Sequence, residues 1–350
     1  MRILICHPQP PFMSGGAETH ANGLMRALRG AGHDVEIATM PFRWAPPSEL
    51  VHQMGMWRSL DLVEPNGVSV DLVIAMKFPA YLVRHPRKIV WLIHQQRTAY
   101  ELWDHPRFAD ISHAPDGQAI RELIVASDRL ALGEAERIFT NSETVRGRLE
   151  RSLGLRGEVL YHRSALTDRL LEREPGPGEG RYVLFPSRFD PLKRQGLAVD
   201  AMRYVRSDVR LVLVGTGTEL PEVRRQIDDE RLADRIEIRE GVDDDELVEL
   251  YRNAFAVYFG PFEEDYGYVT IEGMAAGRPV VVTADAGGPL EFARDDETGV
   301  VADPESEAIG AALDALVADR DRAERLGAAG RTFVAEKMPD WPGIVRRLLG

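Results

Sequence analysis

Short runs of Val, Ile and Leu recur along the chain, separated by longer stretches in which apolar residues return every three to four positions. The runs fall at Ile3–Cys6, Val35–Ala38, Leu72–Ala75, Ile89–Ile93 and Arg137–Thr140. They recur at Tyr182–Phe185, Leu211–Val214, Ile236–Ile238, Ala256–Phe259 and Val280–Thr283. Short continuous runs suit strands buried on both faces. The helical pattern lies between them, at Glu18–Arg29, Ile120–Leu132, Leu197–Tyr204, Glu219–Ile227 and Ile309–Leu316, with Trp341–Leu349 as a last amphipathic helix. Such alternation predicts an α/β protein with parallel sheets carrying helices on both faces. Residues 41–70, with Trp44-Ala45-Pro46-Pro47 and Met54-Gly55-Met56-Trp57, break the pattern and read as an inserted helical region.

The Pro- and Gly-rich stretch Arg173–Gly180 separates two complete series. It predicts an N-terminal Rossmann-like domain over residues 1–170 and a linker over 171–181. A C-terminal Rossmann-like domain follows over 182–335, and a final helix over 336–350 returns towards the N-terminal domain. With 350 residues, each domain has enough chain for its own core.

Charge divides the same way. Residues 1–165 hold 19 Lys and Arg against 18 Asp and Glu, whereas residues 166–350 hold 24 against 38, and the whole chain carries −13. Nucleic acid, which needs a clustered basic surface, is excluded as a partner. An acidic C-terminal domain can hold an anion only with a few local cations and backbone N–H groups. The single cysteine, Cys6, sits in an apolar run and reads as a buried thiol. No Cys/His spacing suggests zinc. The run Ile3–Cys6 is too short for a signal-peptide core and no stretch is long enough to span a membrane. The expected compartment is the cytoplasm, with a peripheral position at the inner membrane face compatible with it.

Three segments carry candidate chemistry. Glu264 and Glu272 stand with seven residues between them, after the strand Ala256–Phe259 and at the opening of a helix. Gly267 permits a tight turn there, and the helix N-terminus around Tyr268, Val269 and Thr270 attracts phosphate through its backbone donors and dipole. Spacing alone is met equally well by a solvated Glu264 and a helix-capping Glu272. Arg188 and Lys193 leave the first C-terminal strand, where ligands of such sheets bind, and suit a diphosphate. Ser14-Gly15-Gly16-Ala17-Glu18 follows the first strand, where glycine lets backbone approach a ligand closely. Gly215-Thr216-Gly217 is a lone G-x-G of little weight by itself. The run Asp243-Asp244-Asp245 reads as the solvated start of a helix rather than a metal site.

Taken in order, these pieces resemble the family-4 retaining glycosyltransferases. The stretch Arg188–Pro304 carries Arg188 and Lys193, then Val212–Gly217, then Gly241-Val242 with Asp245–Leu247. The Glu-x7-Glu motif follows with Gly273–Val280, then Gly287–Glu291 and Thr298–Val300. The resemblance implies the GT-B architecture, two Rossmann-like domains with parallel sheets facing a central cleft. It implies that His94, Arg188, Lys193 and Glu264 are catalytic. His94 would face the donor sugar, Glu264 would bind its hydroxyls, and Arg188 and Lys193 would stabilise the leaving diphosphate. Donor-binding residues would be Gly15, Gly16, Gly215, Val242, Asp265, Tyr266, Gly267, Tyr268, Val269 and Glu272, the last on the ribose hydroxyls. Arg97 and Tyr100 are acceptor-side candidates. Read without the resemblance, His94 is a structural histidine at a strand end. The family's Asn-Gly turn closing the N-terminal domain is replaced here by Val159–Ser164.

The implied reaction moves a hexose from a nucleotide-diphosphate sugar, with UDP as the base-rate donor, to an acceptor hydroxyl. The acceptor is a sugar, a small molecule or a lipid-linked glycan. The anomeric configuration is retained, and neither cofactor nor metal is required. A nucleotide-sugar 2-epimerase on the same fold and a non-catalytic sugar-nucleotide-binding subunit are the rival readings. A nicotinamide-dependent dehydrogenase lacks its glycine fingerprint.

Overall fold

The computed structural model describes every residue except Pro177 and Glu179. Those two fall within the linker expected over 171–181, so that part of the expectation lies outside the described residues. The chain divides into two compact units, Met1–His162 with Asp340–Gly350, and Arg163–Pro339.

The first unit runs β1 (Arg2–Cys6), α1 (Gly16–Gly30), β2 (Asp34–Ala38), α2 (Ser48–Ser59), β3 (Leu72–Ala75) and β4 (Lys88–Leu92). It continues through α3 (Gly117–Gly133), β5 (Arg137–Thr140), α4 (Glu143–Leu153) and β6 (Glu158–Val159). The second unit runs α5 (Ala165–Leu171), β7 (Tyr182–Pro186), α6 (Gln195–Ala201), β8 (Arg210–Val214), α7 (Leu220–Asp229), β9 (Ile236–Arg239) and α8 (Asp244–Asn253). Then come β10 (Ala256–Phe259), α9 (Tyr268–Ala275), β11 (Val280–Thr283), β12 (Val300–Ala302), α10 (Ser306–Ala318) and α11 (Arg320–Lys337). The last helix, α12 (Trp341–Leu349), belongs to the first unit and packs against α1.

Each unit is built on one six-stranded parallel sheet. The orders are β2-β1-β3-β4-β5-β6 and β12-β11-β10-β7-β8-β9. Alternate residues of the first sheet feed different cores. Ile3, Ile5, Leu72, Ile74, Ile89 and Trp91 enter one cluster, while Cys6, Val73, Ala75, Val90 and Leu92 enter the other. A sheet covered on both faces has no polar side, which is why its strands read as continuous apolar runs. Cys6 is fully buried, and burial pushes its thiol up to about 12, so it is an inert core group. No helix among the described residues is long and apolar enough to cross a membrane.

One boundary differs from expectation. The sequence reading placed residues up to 170 in the N-terminal domain, but α5 packs on α8 and α9 and belongs to the second unit. Ser164 caps α5, its hydroxyl accepting from Thr167 N–H at 3.0 Å, and Leu170 is buried. The chain therefore changes unit before the Pro/Gly stretch, at His162–Arg163.

Candidate functional site

Where the winding direction of an open parallel sheet reverses, the loops leaving the two adjacent strands diverge and leave room for a ligand. In the second sheet the reversal falls between β7 and β10. The loops concerned are 187–194, which carries Arg188 and Lys193, and 260–267, which carries Glu264, while Glu272 follows on α9.

Asp190 turns the first loop. Its carboxylate accepts from Leu192 N–H at 3.1 Å and its carbonyl from Lys193 N–H at 2.8 Å. Lys193 is thereby carried across to form an ion pair with Glu264, with Nζ 5.6 Å from the centroid of the Phe259 ring. Arg188 stands exposed on the same loop, in no ion pair among the described residues.

Sequence reasoning missed the residue that holds the second loop. Arg194, in the left-handed conformation at φ 56, grips both Asp285 oxygens at 2.7 and 2.8 Å. It also donates to the carbonyls of Gly260 and Pro261, each at 2.8 Å, and to Thr283 Oγ1 at 2.9 Å. The guanidinium fork thus ties the loop after β10 to the end of β11. The only sequence signal was its adjacency to Lys193. Glu264 is fixed further by its own backbone, which donates to Ala286 O and accepts from Gly288 N–H, both at 2.8 Å.

Gly267 caps α9 at φ 91, a conformation that favours glycine, and a Cβ there would lie 2.7 Å from Pro289. Tyr266 is buried, its ring edge-on to Tyr268 and Phe292, while Asp265 and Val269 are half-buried. The helix's positive end lies at this turn. Of the three donors expected there, Thr270 N–H is already taken by Gly267 O at 3.1 Å.

Glu272 is less open than its spacing suggested. It is 8% exposed, and its two oxygens accept from Ser164 Oγ at 2.8 Å and Tyr251 OH at 2.9 Å. Burial raises its pKa, against the pull of those two donors. Gly215 lies in the loop after β8, the neighbour of β7, and its φ of 141 lets backbone pass where a Cβ would meet Ser187 O at 2.3 Å. Val242, half-buried in the turn from β9 to α8, is two strands from β7. Asp243 caps α8, accepting from Glu246 N–H at 2.8 Å, and Asp245 pairs with Arg169, so the aspartate run is a helix start. Among the described residues no three His, Cys, Asp or Glu side chains are grouped to hold a metal.

The first sheet reverses between β1 and β3. His7 follows β1, Lys77 follows β3, and Glu18 of α1 meets both, at 3.1 Å from His7 Nε2 and 3.7 Å from Lys77 Nζ. Burial lowers the His7 pKa and keeps the ring neutral, so Nε2–H donates to the carboxylate. Burial pushes Glu18 up, but the His7 hydrogen bond and the Lys77 charge outweigh it and hold the carboxyl below its ordinary value. Of these three, only Glu18 stood in a segment the sequence singled out. His94 leaves the neighbouring β4, with Nδ1 2.6 Å from Gln95 O. Gly15 precedes α1 in extended backbone, φ −164, and Gly16 opens the helix. Arg97 and Tyr100 are engaged within the unit, Arg97 Nε with Glu101 at 2.8 Å and Tyr100 OH with Asp128 at 2.7 Å.

A GDP-mannose-dependent alpha-(1-6)-phosphatidylinositol monomannoside mannosyltransferase of Mycobacterium tuberculosis is 36% identical over 184 residues, covering 49% of this chain and 47% of the relative. A D-inositol 3-phosphate glycosyltransferase of Xylanimonas cellulosilytica is 34% identical over 169 residues, covering 46% and 40%. The chain thus spans about half the length of the curated relatives it matches. Among solved structures, a sucrose-phosphate synthase from Thermosynechococcus elongatus superposes with a TM-score of 0.79 at 20% identity, over 99% of this chain and 96% of the other. Anabaena HepE in complex with UDP-glucose gives 0.74 at 17% identity, over 100% and 98%. The fold is that of the GT-B glycosyltransferases. The profile of glycosyl transferases group 1 matches residues 168–333, nearly the whole of the second unit and both loops at its reversal point. Over that span the chain is similar to the glycosyl transferases group 1.

Proposed function

We propose that the chain is a retaining, metal-independent hexosyltransferase, drawing on a nucleotide-diphosphate sugar held by the second unit. The observation that carries this is the Lys193–Glu264 pair at the β7/β10 reversal, beside exposed Arg188 and the start of α9. Cation and carboxylate side by side match a ligand that is anionic at one end and hydroxylated at the other. The diphosphate would take Arg188, Lys193 and the helix end. Glu264 would accept from sugar hydroxyls.

Glu272 accepts from two neutral hydroxyls, and a ribose hydroxyl can replace a neutral donor at little net cost. In the transfer itself, the bond from sugar C1 to the phosphate oxygen breaks and a bond from C1 to the acceptor oxygen forms on the same face. The acceptor's proton goes to the departing phosphate oxygen. Charge then develops on the diphosphate, where fixed cations stabilise it most. His94, on the first unit, is assigned to a sugar hydroxyl.

The relatives' names offer GDP-mannose, and the solved neighbours were crystallised with UDP and UDP-glucose. The acceptor hydroxyl is assigned to a glycoconjugate or lipid head group, in keeping with the relatives' names. A donor panel containing both nucleotide sugars, followed by NMR of the released sugar's anomeric proton, tests the reading. The expected result is donor cleavage with the α-configuration kept and undiminished in EDTA. Inversion, 2-epimerised donor, or loss of turnover in EDTA would overturn it.

A further inference from the structure

The first unit holds a cavity of about 630 Å³ between α3 and α4, floored by Tyr100 and Glu101 and lined by Arg121, Arg129, Arg148 and Arg151. Its size suits a small molecule or head group. Four arginines and two glutamates, Glu101 and Glu122, line this one cavity, an excess of positive charge in a half that is close to neutral.

From sequence, the basic residues of α4 are diluted by Glu143, Glu150 and Glu158. The fold separates them. Arg146 takes Glu143 and Glu150, while Glu158 pairs with Arg137 and Arg347. Arg148 and Arg151 are left on the cavity side. The carboxylates there offset only part of the charge. Glu101 is shared between Arg97 at 2.8 Å and Arg148 at 3.3 Å, and Glu122 accepts from Gln118. Arg121 is held by Ala99 O at 2.9 Å and stacks over Trp103 at 4.4 Å, which leaves its terminal nitrogens available. Arg129 and Arg151 are exposed and join no ion pair among the described residues. The floor is continuous in sequence with the loop that begins at His94.

We propose that this cavity binds a phosphate ester on the acceptor, so that the acceptor class is a phosphorylated sugar or polyol, either soluble or as a lipid head group. Planar guanidinium forks match phosphate oxygens two at a time, and several converging on one group exclude a neutral analogue. The word acceptor rests on the transferase reading; the binding of a phosphate ester does not.

The test uses the full chain. Glucose 6-phosphate and glucose are titrated by calorimetry, and vesicles of phosphatidylinositol or phosphatidylcholine are assayed by co-sedimentation. The same is done with the double variant Arg129→Gln/Arg151→Gln and with Arg156→Gln, an exposed arginine outside the cavity. The expected result is saturable binding of glucose 6-phosphate, of phosphatidylinositol vesicles, or of both, with neither neutral counterpart bound. Binding should weaken at least tenfold in the double variant and hold in Arg156→Gln. A soluble ligand is indicated if glucose 6-phosphate binds, and a head group if only the vesicles do. No binding of either probe, or binding that survives the double variant, would overturn the proposal. Donor turnover is measured separately on the wild type, so a failed transferase reading with intact phosphate binding would be recognised as such.

Discussion

Lys193 and Glu264 are only 16% and 18% exposed at their side chains, and an ion pair so withdrawn from water gives little stability for its desolvation cost. Its value lies in keeping both groups in place until a ligand offers each a better partner. Asp128 is the opposite case. It is fully buried on α3, accepts from Tyr100 OH at 2.7 Å, and burial pushes its carboxyl up to about 7. A native state that keeps a proton which the unfolded chain releases near pH 4 loses stability as pH rises through that window, by up to about 4 kcal/mol. Asp128→Asn removes that loss while keeping an oxygen for Tyr100. Urea unfolding should therefore show the variant gaining on the wild type between pH 4.5 and 7.5, by a few kcal/mol. A constant difference would show that Asp128 is ionised throughout. At this scale the sequence was most legible where a residue's role depends on local spacing, as for Lys193 and Glu264, which the fold brings together. It was least legible where the role depends on a distant partner: nothing near Asp128 announced Tyr100, and nothing near His7 announced Lys77.

Elements place these residues, and one glycine shows how closely. The loop after β8 passes so near the loop after β7 that a Cβ on Gly217 would sit 2.2 Å from Phe189 O, with φ at 154. Gly217→Ala should cost more than about 2 kcal/mol and weaken donor binding, because the displaced backbone is the one between Arg188 and Asp190. Chemical denaturation and donor titration read both effects, and unchanged values in each would show that the two loops are not in close contact. The apolar strands were evident from the run pattern, β3, β5, β10 and β11 to the residue. The two-residue β6 and three-residue β12 are too short to leave a pattern, and α11 is rich in charge, Ala and Gly with few large apolar residues. The helix α5 escaped notice because it lies ahead of a conspicuous Pro/Gly stretch.

At the scale of the molecule, the last helix does not stay with the unit that precedes it. Ile344, Val345 and Leu348 of α12 are buried in the first unit's core, and Trp341 lies so close to Gly23 of α1 that a Cβ there would meet its ring at 2.5 Å. Gly23→Leu should thus lower stability by about 1–3 kcal/mol despite leucine's better helix propensity. Thermal unfolding checks it, and a raised Tm would mean that Trp341 moves aside freely. The alternation of strands and helices made the α/β class readable, because a two-faced sheet imposes its pattern on every strand. The strand order was not readable, and with it went the reason the site exists, since only the order β10-β7-β8 brings the Arg188–Lys193 loop beside the Glu264 loop. The central claim is that these two loops grip a nucleotide-sugar. Donor hydrolysis by Arg188→Ala and Glu264→Gln, compared with wild type on the donor it prefers, tests it most directly. Removing one group that stabilises a developing anion typically costs about 10²–10³ in turnover. The account predicts a loss of that order for Arg188→Ala and a clear fall in turnover for Glu264→Gln, whereas wild-type rates in both would contradict it.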